Sequence, residues 1–256
     1  MPQTNHDYSA GILIAGPSKP TKVGCWSCGA MRAAHFCQQC GKVQPPGPVD
    51  YFAFFGLPYK LNLDTATLER EFYLLSRHLH PDINASSSSQ EQQWSLEQSS
   101  QLNDAYRTLK DPISRTEYLL RLQGMHLEEQ STAATEEARR TGKAKKQVVP
   151  PDLLEQVFEL NMQLEEARMN KKMGEPDRSL ELELQDTRKH LQVKYDSMMD
   201  ELHTAWNAWD ALVEQSAQGG NILEEDRAAV RAKMLDILNR RNYVRNLLRD
   251  IEEVLE

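Results

Sequence analysis

Apolar positions recur at helical spacing over much of the chain, and beyond the first 45 residues none alternate over a strand's length. From Thr65 to Leu79 they fall at Leu68, Phe72, Leu75 and Leu79, at intervals of four, three and four, on one face of a helix. Leu102, Tyr106 and Leu109 repeat the pattern between Gln90 and Lys110, where Ala105 is small enough to let a neighbouring helix approach. Pro81 disfavours helical geometry at the residue before it, so the first helix ends at His80. The spacing predicts two antiparallel helices joined by a polar loop.

Past residue 150 the pattern predicts three longer helices, near Asp152–Lys172, Asp177–Gln215 and Ile222–Leu255. In the last, Val230, Met234, Ile237, Val244, Leu248, Ile251 and Leu255 stay close to one face. Gly or Pro stands in each break between them, so each helix can fold back on its predecessor as a three-helix bundle. The first carries two apolar rows. Leu153, Val157, Leu160 and Leu164 form a narrow core stripe. Leu154, Phe158 and Met162 form a second, about 140° round the helix at ~100° per residue, with Glu155, Glu159 and Glu166 beside it. A bundle helix needs one buried face. The second row is either packed on another side or a surface that a partner covers.

Three composition shifts divide the chain, one of them the short break at Met173-Gly174-Glu175-Pro176 inside the C-terminal part, echoed by Gln218-Gly219-Gly220-Asn221. Pro45-Pro46-Gly47-Pro48 cannot continue a helix and reads as a boundary. The run from Glu128 to Gln147 is almost empty of large apolar residues and reads as a linker. The expected organisation is a flexible N-terminus (1–22), a cysteine module (23–46), the helical hairpin (49–127), a linker (128–150) and the bundle (151–256). No apolar stretch approaches the ~20 residues that span a bilayer, which excludes a transmembrane helix. A net charge of −8 and the lack of a basic, aromatic-rich stripe argue against nucleic-acid binding. Met1 to Lys22 contain no Arg and no secretory apolar core, so the expected setting is intracellular and reducing.

All four cysteines lie in two C-x-x-C-G turns, Cys25-Trp26-Ser27-Cys28-Gly29 and Cys37-Gln38-Gln39-Cys40-Gly41. Each pair can wrap one side of a tetrahedral metal, and the Gly suits the tight turn that follows. Zinc is the expected ion, with iron in the same thiolate geometry, two disulfides and free buried thiols as the alternatives. Four protein ligands close the site, making it structural, and a module of about 25 residues depends on such a metal to fold.

His80-Pro81-Asp82 is a weak signal alone, but it stands after an amphipathic helix and before a polar loop and the segment Gln101-Leu102-Asn103-Asp104-Ala105-Tyr106-Arg107-Thr108-Leu109-Lys110-Asp111-Pro112. This combination resembles the J-domain, over roughly Val49 to Leu127. Asp50-Tyr51-Phe52-Ala53-Phe54-Phe55-Gly56-Leu57-Pro58, then Arg115, Tyr118-Leu119-Leu120 and Gly124, are similar to the iron–sulfur cluster co-chaperones of the HscB type. So is a four-cysteine module ahead of a J-domain.

The resemblance implies an all-α protein: a J-domain helical hairpin plus a C-terminal three-helix bundle, preceded by a small zinc-bound β-turn module. It implies that His80, Pro81 and Asp82 trigger the ATPase of a DnaK-type heat-shock chaperone, with Arg70, Arg77 and His78 on the contacting face. It implies that Leu154, Phe158, Glu159, Met162, Glu166 and Tyr243 meet an IscU-type iron–sulfur scaffold. The setting would be the mitochondrial matrix or the cytoplasm, with no secretion. A J-protein for a different client remains the alternative. No paired carboxylates or Cys/His pair stand in a catalytic context, so the protein is not expected to be an enzyme.

Overall fold

The computed structural model describes residues 24–31, 35–127, 154–175 and 177–256. Its helices are α1 (Tyr51–Phe54), α2 (Thr65–Leu79), α3 (Ser89–Lys110), α4 (Pro112–Leu122), α5 (Leu154–Met173), α6 (Arg178–Ala217) and α7 (Glu224–Leu255). Among the described residues there is no strand, only the isolated antiparallel bridges Gly24–Met31 and Phe36–Val43. The all-α expectation holds, and the hairpin and bundle helices lie within two residues of their predicted limits. The linker expected at 128–150 lies outside the described residues.

Local signals set the helix starts. Asp64 caps α2 by accepting from the Ala66 amide, and Ser88 with Glu91 forms a reciprocal capping box on α3. Asp50 caps α1, and Asp111 caps α4 with Pro112 in the first helical position.

The chain packs as two compact units. One takes the described residues up to Met125 together with Trp206–Val230; the other takes the described part of His126–Ala205 and Arg231–Glu256. In the first, Val43, Phe54, Leu75, Leu79 and Leu102 form one buried cluster, with Phe36, Phe55, Phe72 and Trp94 against it. Val43 and Phe36 come from the cysteine module. The Pro-rich segment at 45–48 therefore joins two parts of one core instead of separating two domains. Trp206–Val230 joins this unit through polar contacts. The Asp210 carboxylate accepts from the Leu61 and Asn62 amides at 2.7 and 2.9 Å, and Trp209 Nε1 donates to the Tyr59 carbonyl at 2.8 Å. Arg115 is buried and donates to the Leu109 carbonyl, which ties α4 to the end of α3.

In the second unit the buried rows are Val157, Leu160 and Leu164 on α5, Leu184, Leu191 and Met198 on α6, and Met234, Ile237, Val244 and Ile251 on α7. Buried Arg241 donates to Tyr195 Oη at 2.8 Å. The α5 and α7 rows follow the helical stripes that the periodicity predicts, with Val230 and Leu255 at the ends of the α7 stripe half-buried.

Candidate functional sites

The first site is the cysteine cluster. Gly29 N–H donates to the Cys25 carbonyl at 2.9 Å and Gly41 N–H to the Cys37 carbonyl at 2.8 Å, closing two equivalent turns. Both glycines sit at positive φ, 72° and 73°, which explains their place after the second cysteine. The four Sγ atoms lie within 4.8 Å of one another, with Cys25–Cys40 and Cys28–Cys37 each at 3.7 Å. A disulfide would bring sulfurs to about 2.0 Å. A tetrahedron with metal–sulfur bonds near 2.3 Å has edges of about 3.8 Å. The donor set fits a four-coordinate metal, and the cysteines are not paired as disulfides.

Electrostatics point the same way. Burial opposes the Cys25 thiolate, but the Cys28 and Ser27 amides and neighbouring side chains bring its pKa to about 6. The Cys40 and Gln39 amides lower Cys37. At Cys28 the Ala30 amide favours the thiolate, yet burial and the three neighbouring sulfurs push the thiol up to about 12. Four thiolates this close need a cation.

The module is built into the helical hairpin. Lys42 Nζ pairs with buried Glu91 at 2.7 Å; the ammonium, against the cost of burial and with help from Ser88, holds that carboxyl below its usual range. Gln98 Nε2 donates to the Gln44 carbonyl at 2.6 Å, while its Oε1 meets His35 Nδ1 at 2.9 Å. Phe36 stacks on His78 with centroids 3.9 Å apart, and Trp26 meets Trp94 edge-on.

The second site is the turn after α2. His80 leaves the helix at φ −64°, ψ 132°, as the proline after it requires. The Asp82 amide donates to His80 Nδ1 at 3.2 Å, and the side chains of His80 and Asp82 are 51% and 89% exposed. Ending a helix this way leaves its last carbonyls without intrahelical partners. Here two buried polar side chains supply them. Asn84 Nδ2 donates to the carbonyls of His78 and His80 at 3.1 and 3.0 Å, and Ser95 Oγ donates to that of Leu79 at 2.7 Å. Asn84 Nδ2 also reaches Ser95 Oγ, which ties the loop to α3. Neither residue shows in the hydrophobic pattern; Asn84 four residues after a helix-ending His is the available clue. Arg70, Arg77 and His78 are all exposed on α2.

The third site is the surplus row of α5. Val157, Leu160 and Leu164 are buried, whereas Phe158 and Met162 are 70% and 61% exposed. Glu159 and Glu166 are exposed with them. The side chain of Leu154, like Leu153 of the core stripe, lies outside the described residues. Tyr243 does not join this face. It is 4% exposed, so its ring is buried in the bundle and is not an open contact. The aromatic was assigned by resemblance alone; it stands about 120° round α7, at ~100° per residue, from the centre of the Met234, Ile237, Val244 and Ile251 stripe, beside buried Leu247, so α7 is buried on a second side there.

No family model matches the chain. It is 34% identical over 145 residues to the iron–sulfur cluster co-chaperone protein HscB homolog of Arabidopsis thaliana, an alignment covering 56% of this chain and 52% of that protein. It is 37% identical over 113 residues to the human iron–sulfur cluster co-chaperone protein HscB, covering 42% and 48%. It is 45% identical over 79 residues to the co-chaperone protein HscB homolog of Vibrio cholerae, covering 31% and 46%. The chain thus spans about half the length of the curated relatives it matches. Among solved structures, the crystal structure of human co-chaperone protein HscB shares the fold, with a TM-score of 0.58, 24% identity, and coverage of 90% of this chain and 98% of that one. The chaperone HscB from Vibrio cholerae gives 0.51, 25%, 80% and 97%. In sequence over half of their length, and in fold over most of its own, the chain is similar to the iron–sulfur cluster co-chaperones of the HscB type.

Proposed function

We propose that the chain is a J-domain co-chaperone of iron–sulfur cluster assembly, not itself an enzyme. It binds an IscU-type scaffold, brings it to a DnaK-type chaperone and stimulates that chaperone's ATPase. The observation that carries this reading is the exposed His80-Pro81-Asp82 turn, held rigid by Asn84 and Ser95. Asp82 offers its carboxylate to the chaperone, Pro81 fixes the turn and His80 completes the contact. Exposed Arg70 and Arg77 supply positive charge on the helix leading to it, with His78 exposed beside them. Leu154, Phe158 and Met162, rimmed by Glu159 and Glu166, receive the scaffold. Cys25, Cys28, Cys37 and Cys40 hold one zinc, whose part is to close the two turns on each other. The working compartment is the mitochondrial matrix or the cytoplasm.

Single-turnover ATP hydrolysis by a DnaK-type chaperone, with and without this protein and a scaffold, tests the proposal. Stimulation should need the protein and rise further with scaffold. His80→Gln or Asp82→Asn should abolish it while costing less than ~1 kcal/mol of stability, as surface changes rarely cost more. Normal stimulation by either variant would remove the mechanism. Stimulation without scaffold affinity would instead assign the protein a different client.

A further inference from the structure

The exposed row of α5 does not stop at Met162. Phe158, Met162, Met169 and Met173 follow at intervals of four, seven and four residues, within about 60° of arc at ~100° per residue. Met169 and Met173 are 60% and 63% exposed, matching Met162. At ~1.5 Å per residue the row is about 22 Å long. Three of the chain's nine methionines stand on it, while Met198 and Met234 are buried in the same unit.

A row of accessible thioethers on an apolar docking face has a chemical consequence. Hydrogen peroxide oxidises a thioether as the sulfur lone pair attacks one peroxide oxygen and the O–O bond breaks. That oxygen stays on sulfur, and the departing hydroxide takes up a proton to leave as water. Sulfur loses two electrons and the peroxide gains them. The sulfoxide is polar and a strong hydrogen-bond acceptor, and burying it against an apolar partner surface is unfavourable.

We infer that Met162, Met169 and Met173 are sulfoxidation sites through which peroxide switches this face from binding to non-binding. The inference rests on the reading of the face as the scaffold's docking surface. It adds Met169 and Met173 to that surface and gives it an oxidative off-state, reversible by methionine sulfoxide reductases because the thioether can be restored. The buried stripe of α5 is untouched by this chemistry, so the bundle keeps its fold when the face is off.

The test uses the full, metal-loaded chain. It is treated with hydrogen peroxide, then with dithiothreitol, which returns oxidised thiols but leaves sulfoxides. Peptide mass spectrometry follows each methionine, and calorimetry measures affinity for a purified IscU-type scaffold. Met162, Met169 and Met173 should oxidise at least ~10-fold faster than Met198 and Met234, since reactivity follows exposure. Scaffold affinity should fall ~10-fold or more with the melting curve unchanged, and methionine sulfoxide reductases should restore it. A variant carrying Met162→Leu, Met169→Leu and Met173→Leu should bind before and after peroxide alike. Unchanged affinity of the oxidised native chain overturns the inference. So does loss of affinity in the leucine variant, which would place the sensitive group elsewhere; Met31, exposed in the cysteine module, is the internal control. Untreated protein without scaffold affinity would be a different result, sinking the docking reading itself and the switch with it.

Discussion

The His80-Pro81-Asp82 turn and the outer row of α5 both face solvent, yet they are held in opposite ways. The turn is short and irregular, and its geometry is fixed from behind by Asn84, Ser95 and a core that includes Val43 of the cysteine module. The row needs no such scaffolding. Its spacing follows from helix geometry alone, and its side chains have open solvent above them. A surface of the first kind presents a few polar groups in one arrangement, and residues far from it in sequence can disable it. A surface of the second kind works by apolar area, and only its own residues matter. Damage to either surface should therefore stay on its own side of that contrast.

Metal removal should do the most. Because Phe36 and Val43 pack in the same cluster as Leu75, Leu79 and Leu102, an unfolded module leaves the hairpin's core open. Chelation, or Cys37→Ser, is expected to cost the first unit about 3 kcal/mol, or ~10 °C in Tm, because metal binding energy here is folding energy. Loss of the Trp26–Trp94 contact gives a fluorescence readout. Chaperone stimulation should fall with it, while scaffold affinity stays. A module that unfolds with the hairpin's melting unchanged would contradict the shared core.

The neighbours Phe158 and Val157 come next. Truncating a central apolar anchor commonly costs ~2 kcal/mol of binding, so Phe158→Ala should weaken scaffold affinity ~30-fold and leave stability alone. Val157→Ala leaves a cavity in the bundle and should lower stability by about 1–3 kcal/mol with little effect on binding. Calorimetry and a denaturant melt on both variants decide it; exchanged outcomes would make the outer row part of a core.

Asn84→Ala tests the turn in the same spirit. It strips the side-chain donor from the His78 carbonyl and one of several from that of His80, which keeps the Ile83 amide at 3.1 Å, at about 1 kcal/mol. The larger sign should be functional, a raised concentration for half-maximal ATPase stimulation together with faster amide exchange at Asp82 and Ile83. If stimulation is unchanged while stability falls, Asn84 only holds the helix end.

How much of this was legible in the sequence follows the same division. Periodicity alone gave α2, α3, the bundle helices and the two rows of α5, because helical faces are written in neighbouring residues. The cysteine spacing gave the metal-ready cluster for the same reason. What stayed hidden is held by partners distant in the chain. Nothing near Asp210 announces that it caps the loop at Leu61 and Asn62, and nothing in a Pro-rich segment says that Val43 beside it is core. The docking of the module on α3 runs through Glu91 and Gln98, polar residues that a hydrophobic pattern counts as surface. The burial of Tyr243 was hidden for the same reason, since it lies off the predicted stripe of its own helix and only packing on a second side of α7 covers it.

The smallest effect concerns the carboxylates beside the row, and it separates steering from holding. Glu159 and Glu166 are exposed, so each interacts through solvent of high dielectric and contributes little to a bound complex. Their influence is on the encounter, where a local negative field raises the rate at which a basic partner surface arrives, within a Debye length of roughly 8 Å at physiological salt. Replacing both by Gln keeps their size and removes only charge. Stopped-flow association with the scaffold should slow a few-fold at low salt, by about threefold, and lose most of its salt dependence, with dissociation almost unchanged. Such a pattern would make the glutamates a rim around an apolar centre. If dissociation instead speeds up by tenfold or more, the carboxylates are bonded within the complex, and the α5 face would be a polar lock of the kind seen at the turn.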